Sequence, residues 1–122
     1  MNMLDKAEAL KERTKQFAIR VVDVVRALPT SREGNVIGNQ LLRCGTAVAA
    51  NYRAVCRARS KAEFISKISI VVEEADETVF WLELLTDTGV VPKEKLALLL
   101  KEANQLLAIG AASLRTSKYN KQ

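Results

Sequence analysis

Residues 60–89, SKAEFISKISIVVEEADETVFWLELLTDTG, carry the clearest helix start, apolar stripe and helix stop in the chain. Ser60 and Glu63 form a Ser-x-x-Glu capping box, in which the serine oxygen accepts a backbone N–H from the first turn of a new helix. A stripe follows at steps of four and three residues, and only its threonine is polar: Phe64, Ile68, Val71, Ala75, Thr78, Leu82 and Leu85. Gly89 suits the left-handed conformation that follows a helix. The segment therefore predicts a helix over about 61–87.

The same spacing continues on both sides of this segment and predicts three more helices, over about 4–28, 36–57 and 92–114. Pro29 and Pro92, the only two prolines, fall at their boundaries. Pro92 is expected to open the last helix as its first residue. Thr30 and Glu33 form a second possible capping box, although the nearby glycines leave the start of the second helix open.

Four helices with short connections fold most simply as an all-α, antiparallel up-down-up-down four-helix bundle. Apolar steps that average about 3.5 residues match the left-handed packing of helices at about 20°. We therefore expect one domain over residues 1–122, with a loose polar tail at 116–122.

The composition suits a globular protein, since 48% of the 122 residues are hydrophobic and 27% are charged. No apolar run is long enough to span a bilayer, and the first residues lack a signal core, so we expect a cytoplasmic protein without membrane contact. Because histidine, a Gly-rich phosphate loop and a nucleophile–base motif are absent from the sequence, we expect no enzyme, no metal and no cofactor. Cys44 and Cys56 would lie about 18 Å apart on one helix, too far for a disulfide, and both are expected to be buried thiols.

Basic residues gather at the expected turn between the second and third helices, namely Arg53, Arg57, Arg59 and Lys61. Two interpretations stay open. The cations can be solvated and stabilise the helix C-terminus through its dipole, or they can contact the phosphates of RNA or DNA. Aromatic residues are scarce nearby, so a nucleic acid would be bound mainly through its backbone and the binding would weaken with salt.

Acidic residues gather on the third helix, and the register suggests a partner for some of them. If the second and third helices run antiparallel about a turn near residues 58–60, Arg43 lies level with Glu74 and one turn from Glu77. We predict an ion pair between Arg43 and Glu74 or Glu77, which would fix the register more than it stabilises the fold.

Two features indicate a contact between subunits. The second helix is small-sided all round over residues 44–50, so it is expected to be buried on more than one side, with Ala47 and Ala50 at an interface. Phe80 is a large aromatic on the charged edge of the third helix, and it is also expected at an interface. The alternative is that the fourth helix or the tail covers Phe80 within one chain.

The sequence resembles the four-helix-bundle proteins of the 23S rRNA intervening-sequence family. The segments that carry the resemblance are Gln40-Leu41-Leu42-Arg43, Ala50-Asn51, Arg57-Ala58-Arg59-Ser60-Lys61-Ala62-Glu63-Phe64, Glu74-Ala75-Asp76-Glu77 and Trp81-Leu82-Glu83-Leu84-Leu85. The resemblance implies that Arg43, Asn51, Ser60, Glu63, Phe64 and Glu74 are structural positions of the family. Many relatives have a proline where Ala49 stands, and a Glu-Gly pair that follows Asn51 in them is missing here, which favours a straighter second helix.

The resemblance also implies a ring of identical subunits, typically a homopentamer. It further implies kinship with the accessory variability determinant of diversity-generating retroelements, a basic bundle that binds nucleic acid and a reverse transcriptase. Our first hypothesis is therefore a non-enzymatic oligomeric module that binds RNA or DNA through basic surfaces, because a ring multiplies the net charge of +5 per chain. The alternative is a scaffold that binds a protein partner, such as a nucleic-acid enzyme, without touching nucleic acid.

Overall fold

A computed structural model describes residues 2–119, which form four helices joined by short turns. The helices are α1 (Met3–Ala27), α2 (Arg32–Cys56), α3 (Lys61–Asp87) and α4 (Lys93–Tyr119). Asn2, Ser31 and Ser60 cap the first three helices, each with a side-chain oxygen 2.9–3.0 Å from a backbone nitrogen three residues later. Within residues 2–119 there is no strand, so the all-α prediction is confirmed.

The helices pack as an antiparallel bundle in which sequence neighbours lie side by side. Cys56, at the end of α2, lies beside the Ala7 carbonyl near the start of α1, while Gly38 near the start of α2 faces Leu28 just after α1. Arg43 of α2 also meets Glu74 of α3, and Gly110 of α4 faces Val72 of α3. The two residues of each pair lie at similar distances in sequence from the turn between their helices, as antiparallel neighbours do. Helices α1 and α4 approach each other less closely than the other neighbouring pairs. In this topology Asn2 and Tyr119 both lie at the end of the bundle that holds the α2–α3 turn.

The core is built from the predicted stripes and divides into two adjoining clusters. The larger cluster joins all four helices around Phe17, Leu41 and Leu82, and the smaller one joins α2 to α3 around Val48 and Ile68. Two threonines are also fully buried, and each hydroxyl donates to a carbonyl of the preceding helical turn. Burial of these apolar faces, rather than helix propensity, is what stabilises such helices.

Helix α2 starts earlier than the sequence predicted, at Arg32 rather than near residue 36, and its cap is Ser31 rather than Thr30. The reason is a close approach between the first turn and the preceding loop. A Cβ on Gly34 would lie 2.7 Å from the Pro29 carbonyl oxygen and 2.8 Å from the Ser31 Oγ. Glycine is therefore needed there for space, and it marks the first turn of α2 rather than an interruption before it.

Helix α4 corrects two boundary predictions. It begins at Lys93, one residue after Pro92, whose carbonyl accepts the Lys95 N–H at 3.0 Å. It continues to Tyr119, so the loose tail predicted from residue 116 is wrong for 116–119, while 120–122 fall outside the described residues. Ser117 supports the extension, since its hydroxyl donates to the Ser113 carbonyl at 2.8 Å.

The turn after α3 forms as the sequence predicted. Gly89 has a φ of +77°, the left-handed conformation that glycine adopts without steric cost, and it is the only such residue among those described. Over the same part of the chain, no helix combines the length and the apolar character needed to cross a bilayer.

The two cysteines differ, which corrects the prediction that both are buried. Cys44 is enclosed in the core, where its thiol donates to the Leu41 carbonyl and its sulfur lies 3.2 Å from the Thr78 hydroxyl oxygen. Cys56 is exposed, because it lies at the last residue of α2, outside the apolar face that ends at Val55. Both thiols are free, in agreement with the expected absence of a disulfide between them.

Candidate nucleic-acid interface

A groove between α1 and α2 brings together four cations, two from each helix. It has a volume of about 390 Å³, and its lining is Lys11, Glu12, Lys15, Ala49, Ala50, Arg53 and Arg57. We call it the basic groove. The two alanines form the floor of the groove, and the long charged side chains of α1 and α2 form its two walls.

The charges of the basic groove are largely uncompensated. Lys11 pairs with Glu8 at 3.1 Å across an exposed helical turn, whereas Lys15, Arg53 and Arg57 have no carboxylate oxygen within 4.0 Å among residues 2–119. Glu12 is the one acidic residue of the lining, and its carboxylate accepts a hydrogen bond from the Gln16 side chain at 2.9 Å, so cations outnumber carboxylates four to one. The groove therefore presents a concentrated positive potential.

Only half of the predicted basic corner belongs to this groove. Arg53 and Arg57 line it, whereas Arg59 and Lys61 lie beyond it at the α2–α3 turn, both exposed. The Arg59 Nε is 3.9 Å from Glu63, which makes a loose surface pair. The structure thus divides the predicted cluster in two.

Sequence reasoning missed the α1 side of the groove. Lys11 and Lys15 are one helical turn apart, and an antiparallel register about the α1–α2 turn places them level with the second half of α2. This signal lies in the pairing of α1 with α2, and a count of charges along the chain does not reveal it.

Groove binding cannot rely on base stacking. Tyr52 is the aromatic residue nearest in sequence, and it is buried in the core. Burial raises the pKa of the Tyr52 hydroxyl to about 12. The groove therefore offers cations and alanine methyl groups, a surface suited to phosphate oxygens.

Arg43 contacts both carboxylates named from the register. Its Nη1 is 3.0 Å from Glu74 Oε2, and its Nη2 is 2.6 Å from Glu77 Oε1. The hydrogen bond to Arg43 lowers the pKa of Glu77, while burial raises the pKa of Glu74 in spite of Arg43. The cluster ties α2 to α3 and leaves no free carboxylate poised to act as a base.

A second ion pair that the sequence did not reveal ties α1 to α4. Arg13 donates from Nε and Nη2 to the two oxygens of Glu102, at 2.8 and 2.7 Å, and also to Gln105 at 2.7 Å. This bonding lowers the pKa of Glu102. The pairing of Arg43 could be predicted by counting residues from the short turn between α2 and α3. No short turn connects α1 to α4, so the pairing of Arg13 with Glu102 could not be predicted in this way.

A surface of opposite charge lies on α3. Phe80 is 52% exposed and stands edge-on against Trp81, with their ring centroids 4.9 Å apart. Exposed carboxylates surround it, from Glu73, Asp76 and Glu83. We call this the acidic aromatic face. Within residues 2–119 neither α4 nor the tail covers Phe80, which stays half exposed, while residues 120–122 of the tail fall outside the described chain.

The two alanines predicted at a subunit interface have different surroundings. Ala50 is exposed and lies in the basic groove, whereas Ala47 is partly buried and lies outside it. Small side chains on α2 also have a role within the chain, because Val21 packs directly on Gly45.

A second groove of about 450 Å³ at the other end of the bundle is mostly apolar, with Asp23 and Lys95 its only charged lining residues. Over the part of the chain that the structure describes, no three cysteine or acidic residues cluster as metal ligands would.

The fold is an all-helical bundle whose helices present a basic groove on one side and an acidic aromatic face on α3. The chain belongs to the 23S rRNA-intervening sequence protein family, which it matches over residues 7–111. It is also similar to the crystal structure of a protein of unknown function from the S23 ribosomal protein family of Bacteroides thetaiotaomicron. That similarity has a TM-score of 0.82 and 31% identity, and it covers 90% of this chain and 98% of the other. No curated protein sequence matches the chain.

Proposed function

We propose that this protein is a non-enzymatic helical module that binds the phosphate backbone of RNA or DNA in the basic groove. One observation carries the proposal: Lys15, Arg53 and Arg57 from two helices line one groove without a carboxylate partner in the described chain. The family name refers to 23S rRNA, which makes RNA the first polyanion to test.

The binding mode follows from what lines the groove. Three or four cations, an alanine floor and no aromatic ring favour contacts to phosphate oxygens, which carry no sequence information. We therefore expect weak sequence preference. We also expect a log–log dependence on salt with a slope of about −3, since each phosphate contact releases about one counterion.

The test compares two variants with the same change in charge. Lys15→Gln/Arg53→Gln removes two groove cations, and Arg59→Gln/Lys61→Gln removes two cations outside it. Each is titrated with a single-stranded RNA and with duplex DNA at several salt concentrations. The groove variant should lose about tenfold or more in affinity and about 2 units of salt slope, whereas the control should lose much less. Equal losses, or no binding by the unaltered protein at low salt, would refute the proposal.

Assembly of identical subunits, most often into a pentamer, is part of this proposal. It rests on the family and on the exposed Phe80, which is costly to leave in water. Mass measurement in solution tests it, and a single-chain mass at micromolar concentration would count against it.

The second candidate function is a scaffold that binds another protein, such as a nucleic-acid enzyme. The acidic aromatic face favours it, because exposed aromatic rings are typical of protein contacts. It becomes the better proposal if both nucleic acids fail to bind at low salt.

A further inference from the structure

We propose that the groove of about 450 Å³ between the end of α1 and the α3–α4 turn binds a small zwitterion with an apolar body. A free α-amino acid with an apolar side chain, such as leucine, is the simplest member of this class. We call the site the apolar groove, and it is lined from residues 23–29 and 90–96. None of its lining residues belongs to the basic groove or to the acidic aromatic face, so a molecule bound at either of those surfaces does not occupy it.

The lining of the apolar groove suits an aliphatic or aromatic side chain. Leu96 is buried, while Val24, Leu28, Val90 and Val91 pack against the larger core cluster and keep part of their surface open. The volume falls within the range of pockets that hold small molecules. A ligand side chain placed on these residues removes apolar surface of both molecules from water, and this burial drives binding.

Two opposite charges line the apolar groove without neutralising each other. Asp23 lies on α1 and Lys95 on α4, and both are exposed. Within residues 2–119 neither has an oppositely charged side chain within 4.0 Å. A ligand that carries an ammonium and a carboxylate can pair with both residues at once, whereas a neutral apolar molecule pairs with neither. The charges therefore select a zwitterion among apolar ligands.

The ends of α1 and α4 reinforce these two charges. Helix α1 ends at Ala27, one turn after Asp23, and the C-terminus of a helix carries a partial negative charge. Helix α4 begins at Lys93, close to Lys95, and the N-terminus of a helix carries a partial positive charge. We therefore expect the ammonium of the ligand at α1 and its carboxylate at α4.

The walls of the apolar groove are held in place without a ligand. Pro29 and Pro92, the only two prolines of the chain, both line it, and the ring of each fixes its φ. Between α3 and α4, the Val91 N–H donates to the Leu85 carbonyl at 3.1 Å and anchors the turn to the end of α3. The backbone thus loses little entropy when a ligand enters, which favours binding.

The first experiment titrates the unaltered protein with leucine and its analogues by isothermal titration calorimetry. L-Leucine should bind saturably, one molecule per chain. Leucinamide keeps only the ammonium and isocaproate keeps only the carboxylate, and each should bind about threefold or more weakly. Glycine lacks the side chain and should bind about tenfold or more weakly. Absence of leucine binding would overturn the proposal. Equal affinity for the uncharged N-acetyl-leucine methylamide would do the same, since the groove would then take an apolar segment of a polypeptide.

Crossing variants with analogues tests which residue meets which charge. Asp23→Asn should weaken leucine and leucinamide about threefold without weakening isocaproate, and Lys95→Gln should weaken leucine and isocaproate without weakening leucinamide. Asp87→Asn and Lys93→Gln are the matched controls, because both residues are exposed at the same end of the bundle but do not line the groove. Both controls should leave all three affinities unchanged. A loss that is equal for the three ligands in Asp23→Asn or Lys95→Gln would overturn the assignment of the two charges.

A last pair of variants separates this site from the nucleic-acid interface. Ala27→Phe adds a ring on the exposed side of the apolar groove, so it should weaken leucine about tenfold or more and leave RNA binding unchanged. Lys15→Gln/Arg53→Gln should leave leucine binding unchanged. Unaltered leucine affinity in Ala27→Phe would overturn the proposal, because leucine would then bind elsewhere. A protein that binds leucine in this way but binds no RNA would refute only the function proposed above.

Discussion

At the scale of single residues, the two thiols show how position on a helix decides chemistry. Cys44 faces the core, where burial raises the pKa of its thiol, and Cys56 lies twelve residues later in solvent. Because the thiolate is the reactive form, iodoacetamide should alkylate only Cys56 in the native protein. Mass spectrometry should find one adduct before unfolding in urea and two after it. Two adducts under native conditions would contradict the buried position of Cys44.

The carboxylate of Glu102 has a pH-dependent role. Its pKa is lowered by the bidentate bond from Arg13, so its contribution to stability is present above the ordinary value of 4.5 and is lost as the pH falls through the lowered value. We expect Glu102→Gln to lower the free energy of unfolding by about 1 kcal/mol at pH 7, since the pair is partly exposed and screened.

Urea denaturation as a function of pH checks this expectation. The difference between Glu102→Gln and the unaltered protein should shrink as the pH drops below 4.5. Glu8→Gln serves as the control, because Glu8 pairs with Lys11 on an exposed helix surface and should matter little. A difference that stays constant with pH would show that the Arg13–Glu102 bond does not stabilise the fold.

Residue-level prediction from the sequence depends on how far apart the partners lie in the chain. Arg43 and its two carboxylates flank one short turn, so counting from that turn brings them level. Arg13 and Glu102 are separated by two intervening helices, and their contact depends on how α1 and α4 close the bundle. The basic groove lies between these two cases in how well the sequence predicts it. The helices that form it flank one short turn, so their pairing can be predicted, but its cations come from two helices and do not form one cluster in the sequence.

At the scale of helices, α1 and α2 pack closely against each other at Gly45. A Cβ there would lie 2.7 Å from Val21 Cγ1 and 2.9 Å from Val21 Cγ2, and Val21 is fully buried and β-branched. We expect Gly45→Ala to destabilise the protein by about 1–3 kcal/mol through overpacking, although alanine is the better helix former.

Gly38→Ala is the matched control for this helix contact. Its nearest neighbour would be the end of the flexible Leu28 side chain at 3.0 Å, which can move. Thermal unfolding should therefore show Gly38→Ala close to neutral and Gly45→Ala well below it, and adding Val21→Ala should recover part of the loss. Equal melting temperatures for both glycine variants would refute the packing argument.

The ends of a helix could be predicted where a capping residue and the apolar stripe indicate the same boundary. They could not be predicted where a close contact with another part of the chain determines the boundary. For α3, Ser60 and Gly89 mark both ends in the sequence. For α2, the glycine in the first turn suggested a break, yet it is there because Pro29 lies against it. For α4, a polar composition suggested fraying at residues where the helix continues.

At the scale of the whole molecule, self-association and folding are linked. The proposed assembly joins folded copies, so mass action should raise the melting temperature as protein concentration increases. We expect this dependence for the unaltered protein and its loss in Phe80→Ser, measured by calorimetry over a dilution series. A melting temperature independent of concentration for the unaltered protein would contradict the proposed assembly.

The antiparallel topology brings Asn2 and Tyr119 to the end of the bundle that also holds the α2–α3 turn. Cations from several helices gather at this pole: Lys6, Arg57, Arg59, Lys61, Arg115 and Lys118. An affinity tag or fluorescent label attached next to Asn2 or Tyr119 would lie at this pole, close to the basic groove. An anionic tag would then compete with nucleic acid for the cations of that groove. Surface plasmon resonance is therefore best designed with the nucleic acid, rather than the protein, immobilised on the chip.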